Sequence, residues 1–263
     1  MKPIEKLFSP GWLAPLIAFF IMIATWEALV RWFELPSIIL PSPGQVFTAF
    51  VEHPDEWSRA TLATSVEILV AYAGSIALGL SIAVVFAQAK WLRASLYPYA
   101  IFLKTLPIIA IAPLIIIWIG EGFWANVIIA WIVAFLPILT NTTEGLISVP
   151  ANLQDVMRLY GASRWQLLWK LQLPNSLPYL VTGCKISSVS CVLGAVVGEM
   201  TVGYLDVPGI GNEIFAKRNT DVALMFVYIL LSGGIGITLF GLTSWIGDRV
   251  LLHWRDPGVD DAR

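Results

Sequence analysis

Six apolar runs of about 20 residues or more divide this chain, and they constrain its fold more than any other feature. They cover about 11–31, 64–88, 96–119, 123–146, 177–200 and 222–247. About 20 apolar residues in a helix cross the ~30 Å hydrocarbon layer of a bilayer. Backbone groups in lipid must be satisfied internally, and the runs are far too long for barrel strands. The expected architecture is therefore an all-α membrane protein with about six transmembrane helices. Only 13% of the residues are charged, which argues against a soluble fold. The first run exceeds a signal-peptide core and is followed by no small-residue cleavage pattern, so it reads as a retained anchor.

Lysine and arginine positions set the orientation. With the N-terminus inside, Lys2, Lys6, Lys90, Arg93, Arg158, Arg164, Lys170, Arg249, Arg255 and Arg263 face the cytoplasm. Arg31, Arg59, Lys217 and Arg218 face outward. Ten against four places both termini in the cytoplasm, together with residues 147–176 between the fourth and fifth runs.

That segment includes DVMRLYGASRWQLLWKLQLP, residues 155–174, which is polar and helix-prone. Leu153, Val156, Met157 and Tyr160 recur at helical spacing, and Gly161 can end that helix in a left-handed conformation. Ser163 followed three positions later by Gln166 suits a capping box on a second helix. Trp165, Leu168, Trp169 and Leu171 give that helix an apolar side. Pro174 or Pro178 suits the first turn of the fifth span. Asp155 is expected to cap or pair. Two short helices built this way make a rigid knob that can transmit motion.

The spacing of Asp155, Gly161, Leu171, Leu173 and Pro174 resembles the EAA loop of ABC-importer permeases. Gly161-Ala162-Ser163-Arg164-Trp165-Gln166, residues 35–43 (LPSIILPSP) and residues 107–114 (PIIAIAPL) extend the likeness to the nitrate/sulfonate/taurine-type branch. The likeness runs over nearly the whole chain. Where the family has two alanines after the acidic residue, this chain has Val156 and Met157.

The resemblance implies one transmembrane permease domain over 1–263, of the type I ABC-importer kind, with a cytoplasmic coupling loop at about 147–176. It implies multi-pass placement in the bacterial cytoplasmic (inner) membrane, a homodimer of permeases, cytoplasmic ABC ATPase subunits and an extracytoplasmic solute-binding protein. ATP and Mg would belong to the ATPase. Asp155, Arg158, Gly161, Ala162, Arg164, Leu171, Leu173 and Pro174 are the expected coupling residues. The implied cargo is a nitrate-, sulfonate- or taurine-like anion, or a vitamin-precursor-like molecule.

Pro107 and Pro113 interrupt the third span and Pro137 the fourth, which favours pathway lining there. Small residues stripe the fifth span: Ser190, Gly194 and Gly198 in one row, Gly183, Ser187, Cys191 and Ala195 in another. Ser75 and Gly79, with Ala73, Ala77 and Ser81, do so in the second. Such stripes let helices approach closely in lipid. They read chiefly as packing seams, with pathway lining or a dimer interface as alternatives. Pro107, Pro113, Asn141, Ser190, Gly194 and Glu199 are the candidate pathway or gate residues. The polar cluster Thr140–Thr143 is expected to hold the coupling loop. Lys104 and Lys185 either snorkel or attract an anion.

Phe47, Phe50 and Val51 suggest a short interfacial helix. Cys184 and Cys191 are too far apart on a helix to bridge. Neither a P-loop nor an HExxH motif occurs, so no catalytic residue, metal site or cofactor of this chain is expected. No nucleic-acid partner is implied; membrane lipid is. A secondary transporter would need coupling-ion groups deep in the membrane and often an inverted repeat, and the sequence shows neither. A non-transporting scaffold would explain the packing seams but not the polar loop.

Overall fold

The computed structural model describes residues 10–201 and 208–252, and among them every regular element is helical. Lys2, Lys6, Arg255 and Arg263, four of the charges used for orientation, lie outside the described residues. Helix α1 spans Pro10–Trp32, α2 Pro43–Glu52 and α3 Pro54–Gln88. A bent pair follows, α4 Lys90–Thr105 and α5 Ile108–Ile119, and then α6, Phe123–Ile147. The polar segment holds α7, Ala151–Leu159, and α8, Arg164–Leu167. A π turn, Leu168–Gln172, joins α8 to α9, Leu173–Thr201. Helix α10 spans Ile210–Lys217 and α11 Val222–Leu252.

Five helical stretches are long and apolar enough to cross a membrane, and the bent α4–α5 pair is a sixth candidate. The third apolar run is thus not one straight span. It breaks at Leu106–Pro107 and turns by 105°. Pro107 has no N–H to donate and holds the residue before it extended, with Leu106 at ψ 130°. Pro113 and Pro137, by contrast, lie inside continuous helices.

Helix α6 is the centre of the bundle, and its two main neighbours are α9 and α3. The α9 stripes meet it directly. A Cβ on Gly194 would lie 2.9 Å from the Ala130 Cα, and one on Gly183 3.0 Å from the Pro137 carbonyl. Ser187 donates to the Ala134 carbonyl at 2.6 Å. On α3, Ser75 reaches the Trp131 carbonyl at 3.2 Å, and a Cβ on Gly79 would meet the Ile138 side chain at 2.8 Å. With lipid on the outside, close packing and interhelical hydrogen bonds hold helices together, since apolar burial alone gains little. The Ala73–Ala77–Ser81 row is different: all three residues are exposed among the described residues.

Two differences from the sequence expectation have simple causes. The fifth span does not start afresh at 177, because helical hydrogen bonding carries from Arg164 to Thr201 without a loop. Pro174 falls on the second residue of α9, just after the π turn, where the widened turn avoids the ring's clash with the preceding carbonyl. The segment after the fifth span contains α10, which an eight-residue polar stretch did not announce.

Helix α2 is the short amphipathic helix expected there. Ser42 and Gln45 form a capping box, Val46 and Ala49 are buried, and Phe47 and Val51 are exposed on the opposite side.

Candidate functional site

The polar segment forms a compact helical knob at the end of α6. Helix α7 ends in a Schellman motif. Gly161 has φ 69°, its N–H donates to the Arg158 carbonyl at 2.9 Å, and the Ala162 N–H donates to the Met157 carbonyl at 3.0 Å. Only glycine takes this left-handed conformation without a Cβ penalty. Two residues later the chain starts again: Gln166 N–H donates to Ser163 Oγ at 3.2 Å, while Ser163 N–H donates to the Gln166 amide oxygen at 2.7 Å. A stop and a start only three residues apart fix the angle between the two short helices.

The knob is tied to the bundle at several points. Asn175 Nδ2 donates to the Gly145 carbonyl at 2.9 Å and to Ser148 Oγ at 3.0 Å. Gln88, at the end of α3, donates to Gln172 Oε1 at 3.0 Å. Gly145 allows α9 to lie directly on α6, since a Cβ there would meet Tyr179 and the Ser176 backbone below 3 Å. Leu168 is buried with Phe86, Leu139 and Leu146, and Leu173 packs against that cluster. Thr140 and Thr143 instead bond carbonyls of their own helix, so the expected role of Thr140–Thr143 falls to Asn175, Ser148 and Gln172. The signal missed in the sequence was an asparagine directly after Leu173-Pro174.

The knob's exposed surface includes large apolar and aromatic side chains as well as charged ones. Leu159 is 86% and Tyr160 88% exposed, and Trp165 and Trp169 are also open. Among the named coupling residues, Asp155 pairs with Arg158 at 3.2 Å on the exposed side. Arg164 is exposed, Ala162 half-buried, and Leu171, Leu173 and Pro174 are half-buried on the anchored side.

The gate candidates do not form one site. They occupy the α4–α5 break, α5, α6 and α9, and no side-chain hydrogen bond among the described residues joins any two. Pro107 and Pro113 are exposed on the bent pair. Asn141 bonds the Pro137 carbonyl at 2.8 Å, and Ser190 bonds Ile186 in its own helix at 3.0 Å. Gly194 belongs to the α6 seam. Glu199 is only 1% exposed at the far end of α9 from the knob. Thr64 Oγ1 donates to its Oε1 at 2.7 Å and Gly211 N–H to its Oε2 at 2.6 Å. Asn212 Nδ2 donates to the Glu199 backbone carbonyl at 2.5 Å. Glu199 thus binds the first turn of α10 to α3 and α9. Thr64 and Asn212 carried no sequence signal, because their partners are 135 and 13 residues away.

Residues 75–252 match the family described as binding-protein-dependent transport system inner membrane component. The chain belongs to this family. It is the permease component of an ABC importer and not an enzyme, since the ATPase in such transporters is a separate subunit. Among similar permeases is the riboflavin transport system permease protein RibX of Chloroflexus aurantiacus. It is 32% identical over 90% of this chain and 88% of its own. The formylaminopyrimidine transport permease protein ThiX of Halalkalibacterium halodurans is 29% identical over 92% and 96%. The nitrate import permease protein NrtB of a Synechocystis species is 25% identical over 95% and 93%. Among solved structures, an inward-facing MetNI methionine ABC transporter chain superposes with a TM-score of 0.63 at 19% identity, over 76% of this permease and 97% of that chain. At that identity the likeness concerns the fold.

Proposed function

We propose that this permease works as one of two copies lining a pathway driven by a pair of cytoplasmic ATPases, with the residue 147–176 knob as the docking element. The exposed Leu159, Tyr160, Trp165 and Trp169 on a rigid, anchored knob carry this reading. Such a surface fits a protein cleft, and rigidity lets ATPase closure move the whole helix behind it. Asp155, Arg158, Gly161, Ala162 and Arg164 shape and flank the contact. Leu171, Leu173 and Pro174 fasten it to the span. ATP and Mg would be held by the ATPase subunits. The N-terminus and C-terminus lie in the cytoplasm in this arrangement, and a solute-loaded extracytoplasmic binding protein meets the α10 end. The apolar flanks of α1 and α11 face membrane lipid or the second copy.

For the cargo we favour a vitamin-precursor-like molecule over a nitrate- or sulfonate-like anion. Of the two cations placed inside spans, Lys185 is already paired with Asp248 at 3.3 Å. The relatives named for riboflavin and formylaminopyrimidine also share more identity with this chain than the one named for nitrate.

Gentle purification of the tagged chain from its native membrane tests the assembly. Recovery of a stoichiometric ATPase is expected. A clean homo-oligomer without ATPase, under conditions that preserve comparable complexes, would overturn it and favour a secondary transporter. Radiolabelled-solute uptake competed by unlabelled vitamin precursors or by nitrate separates the two cargo classes.

A further inference from the structure

At the α10 end of the bundle, Glu67 of α3 and Glu199 of α9 are neighbours: Thr64, one turn before Glu67, donates to Glu199, and Asn126, which donates to Glu67, lies against Gly198 beside Glu199. Both are almost wholly buried, at 5% and 1% exposed. Two carboxylates so placed repel strongly, and burial removes the water that would screen them. No cation relieves them: none of the ion pairs among the described residues includes either group. The buried charged groups on these elements are Glu67, Glu199 and Glu213 of α10, and α6 contributes the neutral Asn126. Lys217 of α10 is paired with Glu56 at 3.0 Å.

The hydrogen bonds distinguish the two carboxyls. Both Glu199 oxygens accept, one from Thr64 and one from the Gly211 N–H. Thr64 gives its single proton to Glu199, and its oxygen also accepts from the Ile210 N–H at 2.8 Å. Glu199 is therefore placed as an acceptor only. Glu67 accepts from Asn126 Nδ2 at Oε1, at 3.2 Å, while its Oε2 is buried with no donor. A buried oxygen without a donor, beside a carboxylate that still has lone pairs to accept with, is where a proton belongs.

We propose that Glu67 and Glu199 form a single-proton carboxyl pair, with the proton on Glu67 Oε2 donated to the Glu199 carboxylate, and that this proton latches α10 to α3, α6 and α9. The site binds a proton and has no room for a larger ligand at its glycine side: a Cβ on Gly209 would already overlap the Glu199 carboxylate. The latch rests on the helical fold and not on the cargo or the ATPase, so it stands or falls separately from the transport reading.

Infrared difference spectroscopy of the purified full chain in nanodiscs tests it, with thermal unfolding as a second readout. The wild type is expected to show a protonated-carboxyl C=O band that Glu67→Gln abolishes. Glu67→Gln should keep the wild-type unfolding midpoint, because an amide N–H can replace the acid proton as donor to Glu199. Glu199→Gln should lower the midpoint, since its amide nitrogen would face the Thr64 or Gly211 donor. As pH rises, the wild-type midpoint should fall while that of Glu67→Gln stays level. A wild-type spectrum unchanged by Glu67→Gln would overturn the proposal. So would a band lost only in Glu199→Gln, or a midpoint set by sodium concentration, which would mark a cation site. If Glu199→Gln fails to fold, the Glu67→Gln spectrum decides alone.

Discussion

Gly161 is the residue on which the knob's shape turns. Its φ of 69° costs a residue with a Cβ about 1–2 kcal/mol, and a β-branched residue more. Gly161→Val should leave membrane insertion intact, open the α7–α8 turn and abolish uptake, while Gly161→Asn should retain part of it. Transport assays on equal amounts of inserted protein check this, and normal uptake by the valine variant would refute the knob's coupling role. Ser163→Ala removes one side of the capping box and should cost about 1 kcal/mol locally. Faster hydrogen exchange at residues 164–167 is the expected sign. Both features were legible in the sequence because they depend on residues two or three positions apart. Glu67, Asn126, Thr64 and Glu199 were not legible as a group, since their relation exists only after three helices, α3, α6 and α9, pack.

Among the elements, the α6–α9 seam is the test of what small residues do here. Gly194→Leu would force a side chain into the Ala130 backbone, and overpacking of that kind costs about 1–3 kcal/mol. Ala77→Leu, on the exposed row of α3, should be neutral to within about 0.5 kcal/mol. Thermal unfolding of the two variants in detergent should separate them clearly. The sequence showed both rows as equal candidates. Spacing identifies a face on which a neighbour can sit, but not whether this chain supplies it. The α4–α5 break was readable for the same reason as the Schellman motif: Pro107 acts on its immediate neighbours. The 105° turn was not, because an angle depends on what the two arms rest against.

Taken whole, the molecule has two ends joined by α3 and α9. Trp57 at the start of α3 donates to the Phe50 carbonyl of α2, and Gln88 at its end holds the knob. A cysteine at Phe47 and one at Ser163 should therefore react with impermeant reagents from opposite faces of the membrane. The natural Cys184 and Cys191 are buried and should stay silent. Reaction of both sites from one face would overturn the orientation drawn from lysine and arginine counts. Fold class and span number came from composition and run length, because bilayer thickness fixes both. Which helix occupies the centre did not, since α6 differs little in hydropathy from its neighbours.

The helix that continues from Arg164 to Thr201 has a further use. Its 38 residues give a rod of about 57 Å with Trp165 near one tip and Glu199 near the other. Spin labels at Arg164 and Met200 would thus carry an internal ruler. A change in that distance would point to the π turn at Leu168–Gln172 or to a bend at Pro178. A constant distance makes the rod a fixed reference against which displacements of α3, α5 and α10 can be measured in one sample.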